Sequence, residues 1–344
     1  MTRRLTVRAP GVALRLDPRT IGVTALLVVA ALAAGAWTVT AVGVRIPYAD
    51  MVEILGGGGR RADRFILLDL RLPRVSLALL AGAAFGLSGA VFQSLSRNPL
   101  GSPDVIGFTT GAATGAVVAI LVLGAGTAGA ATGAVVGGIL TAAVVYALAA
   151  LGGGAIRRLV LVGIGVSAML VAVNSYVLSR ARLDEAQSAA TWLVGTLNGR
   201  TWDSVRLLGI ALLVLMPLLL MLSRPLGMLE LGDDSAHSLG VRVRRTRPLL
   251  VFLAVAVCAV ATAATGPVVF VALAAPQIAR RLTGTAAPQL VPAAVTGALV
   301  MVLSDFAAQR LLAPAQVPVG VITGAVGGVY LAWVLSVQWR RGSQ

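Results

Sequence analysis

The chain alternates long apolar stretches with short polar segments that are rich in arginine. A transmembrane helix needs about 20 mostly apolar residues. The candidate stretches are 21–43, 74–95, 105–124, 128–151, 157–178, 205–223, 248–265, 268–282, 289–309 and 317–337. This pattern predicts an all-α integral membrane protein with about ten transmembrane helices. The eighth stretch is short and contains Pro267 and Pro276, so we expect a broken or tilted helix there.

The apolar stretches also set the domain organisation. We expect a cytoplasmic N-terminal segment at 1–20, a transmembrane domain at 21–339 and a cytoplasmic tail at 340–344. A mostly polar segment at 226–247 separates the sixth stretch from the seventh. The first stretch follows several arginines and could pass for a signal peptide, but the charged region is long and more helices follow. We therefore predict a retained first helix.

The arginines indicate how the chain is oriented. An even number of helices places both termini on one side, and a cytoplasmic N-terminus puts most arginines inside, as the positive-inside rule requires. The sequence thus predicts a multi-pass plasma-membrane protein with both termini in the cytoplasm. Arg71, Arg74 and Arg310 belong to a group that remains outside and needs a separate explanation.

Composition excludes several classes of protein. Hydrophobic residues make up 58% of the chain and charged residues only 12%, whereas soluble domains carry about 25% charged residues. All 28 basic residues are arginines, so the chain has no lysine for a P-loop and cannot be its own P-loop ATPase. One His and one Cys are too few for a zinc or iron–sulfur site, and we predict no metal and no cofactor.

The net charge of +15 raises the question of nucleic acid. Because the arginines lie in short clusters between apolar stretches, membrane topology explains the charge better, and no nucleic-acid partner is predicted. Glycines spaced by four, such as Gly82 and Gly86, predict close packing between transmembrane helices.

Four stretches carry more specific information. They are Arg71-Leu-Pro-Arg74 with its following helix and Arg97-Asn-Pro-Leu100; Leu229–Val241; Thr265–Arg281; and Ser304–Arg310 followed by Val317–Gly324. In this order on ten apolar stretches, they resemble the FecCD-type permease family. Members are the membrane subunits of type II ATP-binding-cassette importers for ferric siderophores, haem and vitamin B12. The resemblance runs from about residue 20 to the end of the chain.

The resemblance implies a function without covalent chemistry in this chain. It implies a permease subunit that moves a ferric siderophore, and the stretch Val271–Gln277 looks closer to permeases for catecholate-type siderophores than to those for vitamin B12. Many members carry His where this chain has Gln277. The implied partners are a second permease copy or a similar permease, two cytoplasmic ATPase subunits and an extracytoplasmic substrate-binding lipoprotein.

Alternatives of the same and of other classes remain open at this point. A haem or vitamin B12 permease belongs to the same family. A proton- or sodium-coupled secondary transporter would need intramembrane acids, and Asp305 is nearly the only one. We expect Asp305 to form a structural ion pair or hydrogen bond near its helix end, where Arg310 follows. A membrane enzyme would need more nucleophiles and bases than one His and one Cys supply.

The first candidate site is the outer arginine group. Arg71 and Arg74 are three residues apart at the start of the second stretch and so lie near one face of a helix. Arg310 ends the ninth stretch. The resemblance implies that arginines at these places face acidic residues on the two lobes of the binding protein.

The second candidate site is the segment 229–241. Asp233 at a helix start is favoured by capping and by the helix dipole, and Gly240 suits a left-handed end. The resemblance implies a coupling helix that docks on the ATPase through Gly232, Asp233, Ala236, Leu239 and Gly240. We expect Ala236 and Leu239, three residues apart, to share an exposed apolar face.

The third candidate site is the translocation path. The resemblance implies an inner gate formed by the fifth and tenth helices together with a glycine loop. The candidates for gate or path are Asn98, Pro99, Gly152, Gly153, Gly154 and Asn174.

Overall fold

The computed structural model describes residues 5–9, 12–41, 46–151, 156–285, 287–311 and 317–342. Most of these residues form helices. The chain begins with two short antiparallel strands, β1 Leu5–Ala9 and β2 Val12–Leu16. The longer helices are α1 Pro18–Ala41, α4 Leu72–Ser96, α5 Phe108–Leu121, α6 Thr127–Leu151, α7 Ile156–Arg180, α9 Trp202–Met221, α12 Val243–Thr265, α13 Val271–Thr283, α14 Leu290–Arg310 and α15 Val319–Gly342. The shorter ones are α2 Tyr48–Leu55, α3 Arg61–Arg64, α8 Leu183–Leu193, α10 Ser223–Glu230 and α11 Asp233–Ser238.

The ten predicted apolar stretches each overlap one helix of the structure. Seven described helices are long and apolar enough to cross a membrane, and Phe108–Leu121 and Val319–Ala332 are shorter apolar helices. The eighth stretch forms α13, which has only 13 residues and begins after Pro267. The prediction of a helical, multi-pass membrane protein is therefore confirmed.

Two expectations about local structure were wrong. The N-terminal strands make the chain not purely helical. The second predicted helix begins at Arg61 rather than at residue 74, so that Arg61–Ser96 is one helix of 36 residues. Its part Phe65–Arg71 is π-helical and ends just before Pro73, whose missing N–H interrupts the regular hydrogen-bond pattern. Because this part of the helix contains charged residues and is followed by a proline, the apolar pattern of the sequence does not predict it.

Glycines hold the centre of the bundle together. The most buried of the long apolar helices are α4, α12 and α14. A Cβ on Gly82 would overlap the Gly297 carbonyl of α14, and one on Gly86 would overlap the Ala293 carbonyl. The predicted close packing at these glycines is confirmed, because their backbones touch the neighbouring helix directly.

The peripheral helices differ sharply from this core. In α7 only 11% of the residues in its most apolar window are buried, whereas in the helix that contains α4 the share is 78%. Large apolar side chains on α7, such as Leu161 and Met169, are exposed. A lipid environment or further protein must therefore cover this helix.

Candidate functional sites

Arg74 lies in a buried ion pair rather than on an open surface. Its Nε and Nη2 donate to both carboxylate oxygens of Asp305 on α14 over 2.8–3.1 Å. The Asp305 side chain is 1% exposed and that of Arg74 is 14% exposed. Gln309, which the sequence did not single out, donates to Asp305 Oδ2 at 2.8 Å. The expected ion pair of Asp305 is confirmed, with Arg74 as its partner.

Arg71 and Arg310 close the end of α1. Arg71 Nη1 donates to the Val39 carbonyl at 2.7 Å, and Arg310 Nη2 donates to the Ala41 carbonyl. The last carbonyls of a helix have no partner within it, and cations there interact favourably with the helix dipole. We call the end of the bundle that carries Arg71, Arg74 and Arg310 the arginine face. Their docking role stays a prediction.

The segment 226–247 lies at the other end of the bundle, which we call the segment face. As predicted, it contains a short helix, α11. The helix follows Gly232, whose φ of 110° is left-handed, and Gly240 after it has a φ of 87°. Both conformations favour glycine over residues with a Cβ. Asp233 occupies the first turn, although no side chain caps the helix.

An ion pair fastens Asp233 to α12. Arg247 Nη1 donates to Asp233 Oδ2 at 2.9 Å, and Arg247 Nη2 bonds Oδ1. The hydrogen bond from Arg247 is the main cause that lowers the pKa of Asp233. Asp233 therefore serves as an internal anchor of the segment.

Ala236 and Leu239 do not share an exposed face, which corrects the sequence interpretation. Ala236 is 0% exposed and belongs to the main apolar core, whereas Leu239 is 57% exposed. The reason is that α11 packs against the core of the bundle on the side of Ala236, whereas Leu239 is the cap residue that follows its last residue, Ser238. Leu231, just before the helix, is also exposed and was not recognised in the sequence.

A second ion pair connects this region to α13. Arg280 Nη2 donates to Glu230 Oε1 and to Ser94 Oγ, at 2.8 and 3.0 Å. Gln277, one turn earlier, donates to Gln93 Oε1 at 2.7 Å. These contacts link the end of α10 with α13 and the end of α4.

Asn98 and Pro99 lie beside this network. They line a polar cavity of about 370 Å³ together with Gln93, Arg97, Glu230, Gln277 and Arg280. The Pro99 carbonyl accepts a hydrogen bond from Gln277 at 3.3 Å, and Asn98 Oδ1 accepts one from the Leu100 N–H. The structure thus brings Asn98 and Pro99 together at the segment face.

The other path candidates lie elsewhere. Asn174 is buried on α7, and its Oδ1 has no hydrogen-bond partner among the described residues. Gly152, Gly153 and Gly154 lie outside the described residues. Asn174 is therefore not part of the cavity at Asn98.

One buried acid escaped the sequence interpretation. Asp104 lies between α4 and α5 with both carboxylate oxygens closed off from solvent, and the Thr109 side chain and the Phe270 backbone lie beside it. The described ranges contain no group of three or more His, Cys, Asp or Glu side chains that could hold a metal ion. Since it follows Asn98-Pro99 in a loop, Asp104 carried no helical or motif signal.

Comparison with known proteins gives consistent results. The model of the FecCD transport family matches residues 23–337. The ferric enterobactin transport system permease protein FepG of Escherichia coli is 44% identical over 92% of this chain and 96% of its own. The Fe(3+)-citrate import system permease protein YfmE of Bacillus subtilis is 35% identical, over 80% of this chain and 84% of its own.

Structural similarity extends over the same length. An inward-facing conformation of a metal-chelate type ABC transporter superposes with a TM-score of 0.79 and 29% sequence identity. The superposition covers 92% of this chain and 98% of the other. A further relative was found by sequence rather than by structure. The hemin transport system permease protein HmuU of Yersinia pestis is 32% identical, over 81% of this chain and 85% of its own.

Proposed function

Because this chain belongs to the FecCD transport family, we propose that it is the permease subunit of an ATP-binding-cassette importer that moves a ferric siderophore across the plasma membrane. The observation that carries the proposal is the 44% identity with a ferric enterobactin permease over nearly the full length of both chains. The chain itself is not an enzyme. ATP hydrolysis occurs on a separate cytoplasmic subunit, and the segment face lies in the cytoplasm with both termini.

The test is ATP-driven uptake in proteoliposomes that contain the permease, its ATPase and its binding protein. We expect uptake of a radiolabelled ferric tris-catecholate that requires ATP and resists a protonophore. Uptake of haem or cobalamin instead would support the other branches of the family. Uptake without ATP that a protonophore abolishes would indicate a secondary transporter.

The ion pair of Asp305 argues against proton coupling at that residue. A relay carboxylate must bind and release protons during each cycle. Asp305 instead lies in a fixed network, in which its carboxylate is 1% exposed and accepts hydrogen bonds from Arg74 and Gln309.

Leu231 and Leu239 form the proposed ATPase contact. Both are exposed and flank α11, while Ala236 packs inward and supports the helix from below. Exposed leucines outside the apolar helices are best explained by a protein that covers them. We expect Leu239→Asp to reduce recovery of the ATPase with tagged permease, whereas Leu183→Asp, at a leucine on α8 that is even more exposed, should not. Equal recovery in both variants would contradict the contact.

A second permease copy or a similar permease covers the exposed apolar face that includes α7. The low burial of α7 within one chain supports this arrangement. The arginine face receives the extracytoplasmic binding lipoprotein, with Arg71 and Arg310 directed to acidic residues. Charge complementarity of this kind mainly sets the encounter rate and the register of docking.

A further inference from the structure

Helix α13 is the shortest of the ten longer helices, with α5 only one residue longer. Its 13 residues span about 20 Å, at 1.5 Å per residue. It begins after Phe270, which has a left-handed φ of 69°, and ends before Gly284, whose φ is 67°. The backbone therefore changes direction abruptly at both ends, and α13 is a separate helical element between two turns.

One end of α13 is tied to the segment face by charge. The Arg280–Glu230 pair joins α13 to the residue that ends α10, directly before Leu231–Leu239, which we call the ATPase-docking segment. The two side chains are 27% and 20% exposed, so the pair is partly desolvated and stronger than a surface pair. A displacement of the docking segment therefore acts on α13 at this point.

The other end of α13 is tied to α15 by shape. A Cβ on Gly327 of α15 would overlap the Phe270 side chain, and one on Gly324 would lie 3.5 Å from Val269 Cγ2. Gly327 leaves the space on α15 that receives Phe270, and Gly324 lies against Val269 beside it. Close-packed contacts of this kind transmit displacement, because they have no free volume to absorb it.

Between its ends, α13 packs firmly on α4. A Cβ on Gly89 would overlap the Ala272 carbonyl. Gln93 Nε2 donates to the Leu273 carbonyl at 2.9 Å, and Gln93 Oε1 accepts a hydrogen bond from Gln277 Nε2. These contacts hold α13 as one rigid element, so a force at Arg280 displaces the helix as a whole rather than bending it.

We infer that Glu230 and Arg280 are positioning residues, which transmit movement of the ATPase-docking segment to α13 and, through Phe270, to α15. The inference rests on the proposed function and extends it by naming the connection between ATP hydrolysis and α15. This helix is the tenth predicted one, which the family resemblance places in the inner gate. The pair fixes the geometry that links the docking segment to α13 and α15.

The first test measures siderophore transported per ATP hydrolysed in reconstituted complexes. Glu230→Gln and Arg280→Gln each remove the charge and should lower this ratio about tenfold, within the range of coupling between contacting charged residues. ATPase recovery and ATP hydrolysis without substrate should stay normal. The double variant should lose no more than either single one, and Arg280→Lys should restore part of the ratio. Arg245→Gln, an exposed arginine on α12 at the same end, is the matched control.

A simple structural defect would lower the amount of complex but not this ratio. An unchanged ratio in both Gln variants overturns the inference, and so does loss of the ATPase subunit, which would place the pair in docking. If wild-type permease binds no ATPase and takes up no siderophore, the proposed function fails instead.

The second test needs no substrate. Nitroxide labels on Leu303 of α14 and Val329 of α15, both exposed, report the distance between the core and α15. ATP with vanadate should change this distance in the wild-type complex and leave it unchanged with Arg280→Gln. The same change in both complexes would overturn the inference whatever the substrate is.

Discussion

The two ends of the bundle use arginine in opposite ways. At the arginine face, Arg74 and Asp305 join two helices of the packed core and are almost closed off from water. At the segment face, Asp233–Arg247 and Glu230–Arg280 join a short polar segment to that core and remain partly accessible. A buried pair fixes one arrangement, because separating its charges is costly, whereas accessible pairs can yield at lower cost. The arginine face therefore joins its two helices more firmly than the segment face joins its short polar segment to the core.

The largest effect is expected from breaking the buried pair. Asp305→Asn leaves the Arg74 guanidinium without a counter-charge, and such changes cost about 3–5 kcal/mol. We expect a clear drop in the melting temperature of the permease in detergent. The double variant Arg74→Met with Asp305→Leu should recover most of the loss, since apolar pairs of similar size often replace buried ion pairs. Normal melting of Asp305→Asn would mean that this end is not held by the pair.

The next effect concerns the core beneath the movable segment. Ala236→Arg forces a long charged side chain into a site that is closed by the permease itself. Overpacking alone costs about 1–3 kcal/mol, so the variant should lose both permease stability and ATPase recovery. Ala236→Ser is the small control and should retain both. Loss of the ATPase from a permease of unchanged stability would restore Ala236 to the ATPase contact.

A smaller effect is expected at the arginine face from the two arginines that cap α1. Arg71→Glu with Arg310→Glu should weaken binding-protein affinity, since exposed charge pairs contribute about 0.2–1 kcal/mol each. The loss should shrink as salt rises, because ions screen charges beyond about 8–10 Å. Affinity is measured for detergent-purified complex at two ionic strengths, with Arg206→Glu as the control. A loss that is independent of salt would point to the helix end rather than to docking.

The smallest effect is a pH dependence at Asp233. Its pKa is lowered in the folded protein by the hydrogen bond from Arg247, so the pair contributes stability above the unfolded pKa of about 3.9 and loses it as pH falls through the lower folded value. Wild type and Asp233→Asn should therefore differ by a constant, small amount between about pH 5 and 8. The difference in melting temperature should vanish in strong acid. A difference that varies near neutral pH would identify another titrating group.

The apolar pattern predicted where the helices lie, because the bilayer imposes a length and a composition on each one. It could not predict which arginine meets Asp305, since Arg74 is 231 residues away in sequence. It also misplaced Ala236, whose burial depends on helices that come from other parts of the chain. Motif order indicated which regions to consider as candidate sites, and their roles stay predictions. The pairing inside each region depends on packing, which no local pattern records.

The start of the long helix at Arg61 shows a second limit. Its π-helical part contains Asp69 and Arg71. Closely spaced charged residues of this kind favour a loop when only composition is considered. Within the fold, Arg71 bonds the end of α1 and Trp202 Nε1 donates to the Leu68 carbonyl at 2.8 Å. Tertiary contacts thus stabilise a helix that propensity alone does not.

The glycine contacts of the core have a genetic consequence. Every missense change of a glycine codon by one base introduces a residue with a Cβ. At Gly82, Gly86, Gly89 and Gly297 any Cβ would overlap a carbonyl of the facing helix. No missense mutation at these four codons is therefore conservative, and even alanine requires two helix backbones to separate. In a population, the four codons should tolerate silent changes only.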